Sequence, residues 1–162
     1  MDLRVLSIVK NRGKTMSDYK RILLAVDLFG DGGQIIERAK SISEANNADL
    51  YLIHVNEPIT AAYSGNGLGW GDQVMALESS FREESRKKLN ELAGHLKVPD
   101  DRCLSLHGRG ATEIHRACEE HDIDLLVMGT HGQAGLQLLL GSTANSVLHG
   151  SSCDVLTVRI RD

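Results

Sequence analysis

One stretch late in the chain concentrates groups suited to a phosphate: Gly129-Thr-His-Gly132-Gln-Ala-Gly-Leu-Gln-Leu-Leu-Leu-Gly141-Ser142-Thr143. It follows the apolar run Ile123-Asp-Leu-Leu-Val-Met128. A short buried strand ending at Met128 thus runs into a glycine-rich loop, and Gly-Ser-Thr then opens a helix. Backbone N–H groups bared by glycine, with the unpaired N–H groups of a helix start, offer donors to phosphate oxygens. Gly129 and Gly132 let the backbone approach where a side chain would obstruct it. Gly141 leads into Ser142 and Thr143, which read as an N-cap pair. Far earlier, Asp27 closes the apolar run Arg21–Val26. A carboxylate at a strand end can accept hydrogen bonds from both hydroxyls of a ribose. Val26 and Val55 each end an apolar run and would wall a flat base. His131 reads as a solvated loop histidine and His54 as a packed strand histidine.

The same loop lacks what phosphoryl transfer needs. Its transition state wants a charge clamp and a positioned water. No Lys or Arg stands between Gly129 and Ser142, and no GxxxxGK[ST] loop occurs. After the first buried run the chain reads Asp27-Leu-Phe-Gly-Asp-Gly-Gly, without the serines of an adenylating loop. Binding is expected, with no catalytic residue and at most slow nucleotide hydrolysis. A protein-bound metal is not expected either. His115 has Cys118 and Glu119 at helical spacing, but no second Cys/His pair answers them. Magnesium would arrive with a nucleotide, held by phosphates and water.

The elements that must position these groups alternate along the chain. Strands are expected at Arg21–Val26, Asp49–Val55, Arg102–His107, Ile123–Met128 and Asp154–Ile160. Helices are expected between them, the second carrying Val74, Leu77, Phe81, Leu89, Leu92 and Leu96 on one stripe. Continuous apolar strands mean a parallel sheet covered on both faces. Right-handed crossovers make that sheet doubly wound, with ligands beyond the strand C-termini where the winding reverses. If the reversal falls between the first and fourth strands, Asp27 and the Gly129 loop meet.

Length and composition agree. The 162 residues suit one domain, and 41% hydrophobic with 25% charged residues is ordinary for a globular chain. Aromatics are 4%, so the core is aliphatic. The first 21 residues hold six Lys/Arg against Asp2 and Asp18, leaving an acidic body. An acidic, aromatic-poor surface argues against nucleic acid. No apolar run reaches membrane-spanning length. Residues 1–15 are expected to be a disordered basic tail, with Met16 an alternative or true start and residues 16–162 the single domain. Cys103, Cys118 and Cys153 are widely spaced without CxxC, as in a reduced cytoplasmic protein whose cysteines fill the core.

Four blocks together resemble the universal stress protein family: Tyr19–Asp27, Leu52–Val55, Asp124–Gly132 and Gly141–Val147. The last two resemble its ATP-binding signature, G-x2-G-x9-G-[ST]. Here eight residues, not nine, separate Gly132 from Gly141. The resemblance implies a Rossmann-like α/β fold, a five-stranded parallel sheet in the order 3-2-1-4-5 with helices on both faces. It implies ATP or AMP as ligand, with Val55 offering backbone groups to adenine. It also implies a homodimer paired through the last strand, where Val155, Leu156, Val158 and Ile160 would lie on an open edge. Three roles are open: a nucleotide-binding dimeric stress-response regulator, a member without nucleotide that works as an interaction module for an unknown protein partner, or an enzyme, a slow ATPase or nucleotidyl transferase.

Overall fold

A computed structural model describes residues 6–9, 18–30, 32–58, 71–130 and 141–159. Its elements run β1 (Leu6–Val9), β2 (Arg21–Ala25), α1 (Gly33–Asn46), β3 (Asp49–Asn56), α2 (Gly71–Leu96), a 3-10 turn (Asp100–Arg102), β4 (Cys103–His107), α3 (Gly110–Glu120), β5 (Leu125–Gly129), α4 (Ser142–Gly150) and β6 (Asp154–Val158). They form one sheet in the order β1-β6-β5-β2-β3-β4. The strands β2 to β6 are mutually parallel and have the expected doubly wound order.

Alternate residues of the central strands serve opposite faces, which is why those strands are apolar throughout. Ile22 and Leu24 of β2 join Ile35, Ala39 and Ile42 of α1 and Leu89 and Ala93 of α2 in one core. Leu23, Ile53, Leu126 and Met128 join Ile114, Ala117 and Cys118 of α3 and Ala144 and Val147 of α4 in the other. Each fully buried leucine contributes roughly 1.5–3 kcal/mol against solvent exposure.

The N-terminal ends of the strands are stitched together. Asp124 Oδ2 accepts the Lys20 and Arg21 backbone N–H groups at 2.9 and 3.0 Å. The Asp49 N–H donates to the Lys20 carbonyl, and the Asp154 N–H to that of Asp124. Tyr19, buried, donates its hydroxyl to Asp154 Oδ2 at 3.1 Å.

Two expectations are corrected. Residues 6–9, assigned to a disordered tail, form β1, antiparallel to β6 with Leu6 opposite Thr157, Ile8 opposite Leu156 and Val9 opposite Val155. The edge expected to be open at Val155 and Leu156 is therefore covered by the chain itself. An unpaired strand edge is a row of unsatisfied N–H and C=O groups, and the longest apolar run of the N-terminal segment satisfies it. The second correction concerns α2. Leu89 is buried and Leu92 and Leu96 are half-buried, but Leu77 and Phe81 are exposed on the same helix. Ile160 lies outside the described residues.

Candidate functional site

β2 lies between β3 and β5, and the winding reverses there: β2, β3 and β4 step one way before the chain crosses back to β5. The crevice at this reversal is bounded by the residues just past β2 and by the end of β5. Such a crevice is where open α/β sheets bind ligands.

On the β3 side, the ladder stops one rung early. The Val26 N–H donates to the Ile53 carbonyl at 3.0 Å. In a continuing parallel ladder the Val26 carbonyl would then accept from Val55. It accepts instead from His54 Nδ1 at 3.0 Å, which fixes the imidazole proton on that nitrogen. The Asn56 carbonyl is engaged on the β4 side, by the Gly108 N–H. Strand alternation therefore turns the N–H and C=O of Val55 toward the gap beyond β2. Val26 and Val55, both half-buried, flank that gap. His54, expected to be a packed strand histidine, is what releases the Val55 backbone; sequence spacing carried no signal for it.

Asp27 follows, half-buried, with Oδ1 accepting the Phe29 N–H at 3.1 Å. A Cβ at position 30 would lie 3.0 Å from Asp27 Oδ2, so glycine there leaves the second oxygen free of a neighbour. Phe29, exposed, packs against His54. Its ring meets His54 and Phe81 edge-on at centroid distances of 6.2 and 6.5 Å, and Lys88 Nζ stands 4.2 Å above it. This aromatic and cationic group was not anticipated, because Phe81 and Lys88 reach it from α2.

On the β5 side, Gly129 sits beside Val158 and the buried Met128 belongs to the core facing α3 and α4. The Thr130 N–H donates to the Val158 carbonyl at 3.0 Å, and the Gly141 N–H donates to the Thr130 carbonyl at 2.8 Å. The two ends of the glycine-rich loop are thus one hydrogen bond apart. Gly132, Gly135 and His131 lie between them, outside the described residues. Gly141 itself is the N-cap of α4, and no side chain caps that helix. Ser142 and Thr143, read from the sequence as the caps, are instead the first two helical residues. Glycine serves at an N-cap nearly as well as a hydroxyl residue, and it leaves the helix start open to an external acceptor.

Glu57 is a further residue that sequence reasoning missed. Just past β3, its Oε1 accepts the Gly110 N–H at 2.8 Å and so caps α3 from outside. A Cβ at position 110 would lie 3.1 Å from Thr143 Cγ2, which places the starts of α3 and α4 side by side. Only one of these two positive helix ends carries a carboxylate.

The universal stress protein family model matches residues 18–159. The chain belongs to the universal stress protein family. It is 39% identical over 147 residues to "Universal stress protein A homolog 2" of Coxiella burnetii, covering 90% of this chain and 99% of that one. It is 31% identical over 145 residues to "Universal stress protein A" of Escherichia coli K12, covering 89% and 96%. Solved structures share the fold. Hypothetical protein MJ0577 has a TM-score of 0.72 at 23% identity, over 89% of this chain and 98% of that one. A universal stress protein in complex with cAMP has a TM-score of 0.60 at 24% identity, over 88% and 98%. Among the described residues, no helix is long and apolar enough to cross a membrane.

Proposed function

We propose that this universal stress protein binds an adenine nucleotide, ATP or AMP, at the β2–β5 crevice. The observation that carries the reading is the meeting of three kinds of group at one sheet reversal: backbone N–H and C=O at Val55, a carboxylate at Asp27 and an uncapped helix start at Gly141-Ser142-Thr143. Val26 and Val55 would flank adenine, and Asp27 would accept from the ribose hydroxyls. Gly129, Gly132 and the N–H groups of Ser142 and Thr143 would take the phosphates, with Met128 supporting Gly129 from beneath. Magnesium would be held through the phosphates and water. A solved universal stress protein of the same fold, in complex with cAMP, supports a nucleotide as the class of ligand.

In this reading the protein is a cytoplasmic, dimeric stress-response regulator, and the bound nucleotide sets which protein partner it engages. Dimer pairing through Val155, Leu156, Val158 and Ile160 requires β1 to leave the β6 edge. A second reading, an interaction module without nucleotide, is favoured by one observation: Met75, Leu77 and Phe81 of α2 are 65%, 50% and 43% exposed.

Isothermal calorimetry against ATP, ADP and AMP with magnesium separates the two, with Gly132→Val and Asp27→Ala as controls. Micromolar binding lost in both controls, with folding retained, establishes the nucleotide site. No heat with any of the three ligands leaves the interaction module.

A further inference from the structure

At the end of the sheet opposite the candidate nucleotide site, two cysteines separated by 35 positions meet. Cys118 lies near the end of α3, and Cys153 lies in the short connection from α4 to β6. Their sulfurs are 3.7 Å apart and both residues are buried, at 2% and 6% exposure. The backbones that carry them are fixed. The Ile123 N–H donates to the Cys118 carbonyl at 2.9 Å. Ser151 Oγ donates to the Cys153 carbonyl at 3.0 Å and accepts the Cys153 N–H at 3.3 Å. A disulfide has a sulfur–sulfur length of about 2.05 Å, so the two sulfurs already stand within about two ångströms of bonding distance.

Burial does not seal the pair. Both cysteines line a cavity of about 420 Å³ together with Glu119, Asp122, Asp124 and Asp154. Four carboxylates repel anionic thiols and disulfides and admit a small neutral oxidant.

We propose that Cys118 and Cys153 form an oxidisable dithiol whose oxidant is a hydroperoxide. The Cys153 thiolate attacks one peroxide oxygen; an S–O bond forms, the O–O bond breaks, and the departing alkoxide or hydroxide takes a proton to leave as alcohol or water. The Cys118 thiol then attacks the resulting sulfenic sulfur, and its proton leaves with the hydroxyl as water. Two thiols and one hydroperoxide give one disulfide, one alcohol or water, and one further water; each sulfur loses one electron.

With the sulfurs 3.7 Å apart either order of attack gives the same disulfide, and the electrostatics favour Cys153 as the first to react. Hydrogen bonding with Cys118, above all, outweighs burial and brings Cys153 down to about 7. The same hydrogen bond with Cys153, reinforced by burial and by Glu119, pushes Cys118 up. The low member is the better attacking group and the high member the resolving one. The acids Glu119, Asp122, Asp124 and Asp154 surround the pair from α3, the α3–β5 connection and β6, and Asp154 opposes the Cys153 thiolate.

The test treats the wild-type protein with stoichiometric hydrogen peroxide, then denatures, alkylates and maps peptides without reduction. The expected result is loss of two alkylatable thiols per chain and a Cys118–Cys153 linked peptide, both reversed by dithiothreitol. Cys118→Ser is expected to stop at a Cys153 sulfenic acid, captured as a dimedone adduct. If both cysteines remain alkylatable, or if oxidation falls on Cys103 instead, the proposal is overturned.

Discussion

His54 Nδ1 lies 3.0 Å from the Val26 carbonyl oxygen and occupies the place that the Val55 N–H would take in an unbroken β2–β3 ladder. A side chain thereby ends a strand pairing, and the end of that pairing creates a backbone donor and acceptor aimed into a crevice. The net contribution of one such hydrogen bond is modest, about 0.5–1.5 kcal/mol. In the proposed nucleotide site its position would make it a recognition element as well as a structural one.

Replacing His54 by Phe frees the Val26 carbonyl to pair with Val55 and removes that recognition edge. Affinity for AMP, ATP and adenosine is expected to fall together by about five- to tenfold, roughly 1–1.4 kcal/mol. Parallel calorimetric titrations with the three ligands check this; an unchanged affinity for all three removes Val55 from the site.

Ser142→Pro probes the helix start without unfolding it. Gly141 has φ −57° and ψ 152°, a conformation proper to a residue before proline, and proline is favoured at the first helical position. The substitution deletes one N–H facing the candidate phosphate region. ATP affinity is expected to fall about five- to tenfold while adenosine affinity stays level, with the melting temperature unchanged. Equal losses for ATP and adenosine would instead indicate a displaced α4.

Tyr19 gives a pH signature. Burial first, then the neighbouring Asp154 charge, raises its pKa from 10.0 to about 12. The folded chain therefore holds this proton more tightly than the unfolded one. The associated stability is fully present below pH 10 and is lost as pH rises from 10 to about 12. Tyr19→Phe is expected to flatten that alkaline decline in denaturant melts and to remove the latest phenolate step at 295 nm. At neutral pH the same change costs about 1–3 kcal/mol, because the buried Asp154 carboxylate loses a donor.

Removal of residues 1–15 takes β1 away and exposes the outer edge of β6. The shortened chain is expected to self-associate about tenfold more tightly than the full chain in sedimentation equilibrium, near 1.4 kcal/mol. Identical association by both chains would mean that β1 does not compete with a second copy for this edge.

The sequence was most legible where a signal is local. Asp27, Gly129 and the Gly141 helix start sit at the ends of strongly apolar runs, and composition alone marks such ends. The doubly wound order follows from the same alternation of runs and helices. Pairings that depend on distant partners left no trace. Leu6–Val9 finds its place only because β6 offers an edge more than a hundred residues away. Cys118 and Cys153 share no motif because their meeting is made by α3 packing beside the start of β6. The Ser142 and Thr143 caps were misplaced by one and two residues, since glycine fills an N-cap nearly as well as serine and spacing cannot rank them. Leu77 and Phe81 have helical spacing yet remain exposed, because α2 turns that stripe to the core only in its later half.

The hydrogen bond between Thr130 and Gly141 makes the segment between them a cassette. Its two feet stand together whatever its length, and each doubling of such a loop costs only about 0.6 kcal/mol in closure entropy. Residues inserted, deleted or exchanged inside it are expected to leave β5 and α4 in their places. The eight-residue spacing from Gly132 to Gly141 is one such edit. In the proposed nucleotide site, ligand preference would therefore diverge among relatives, or be redirected in the laboratory, by rewriting the one short stretch of sequence between these two feet.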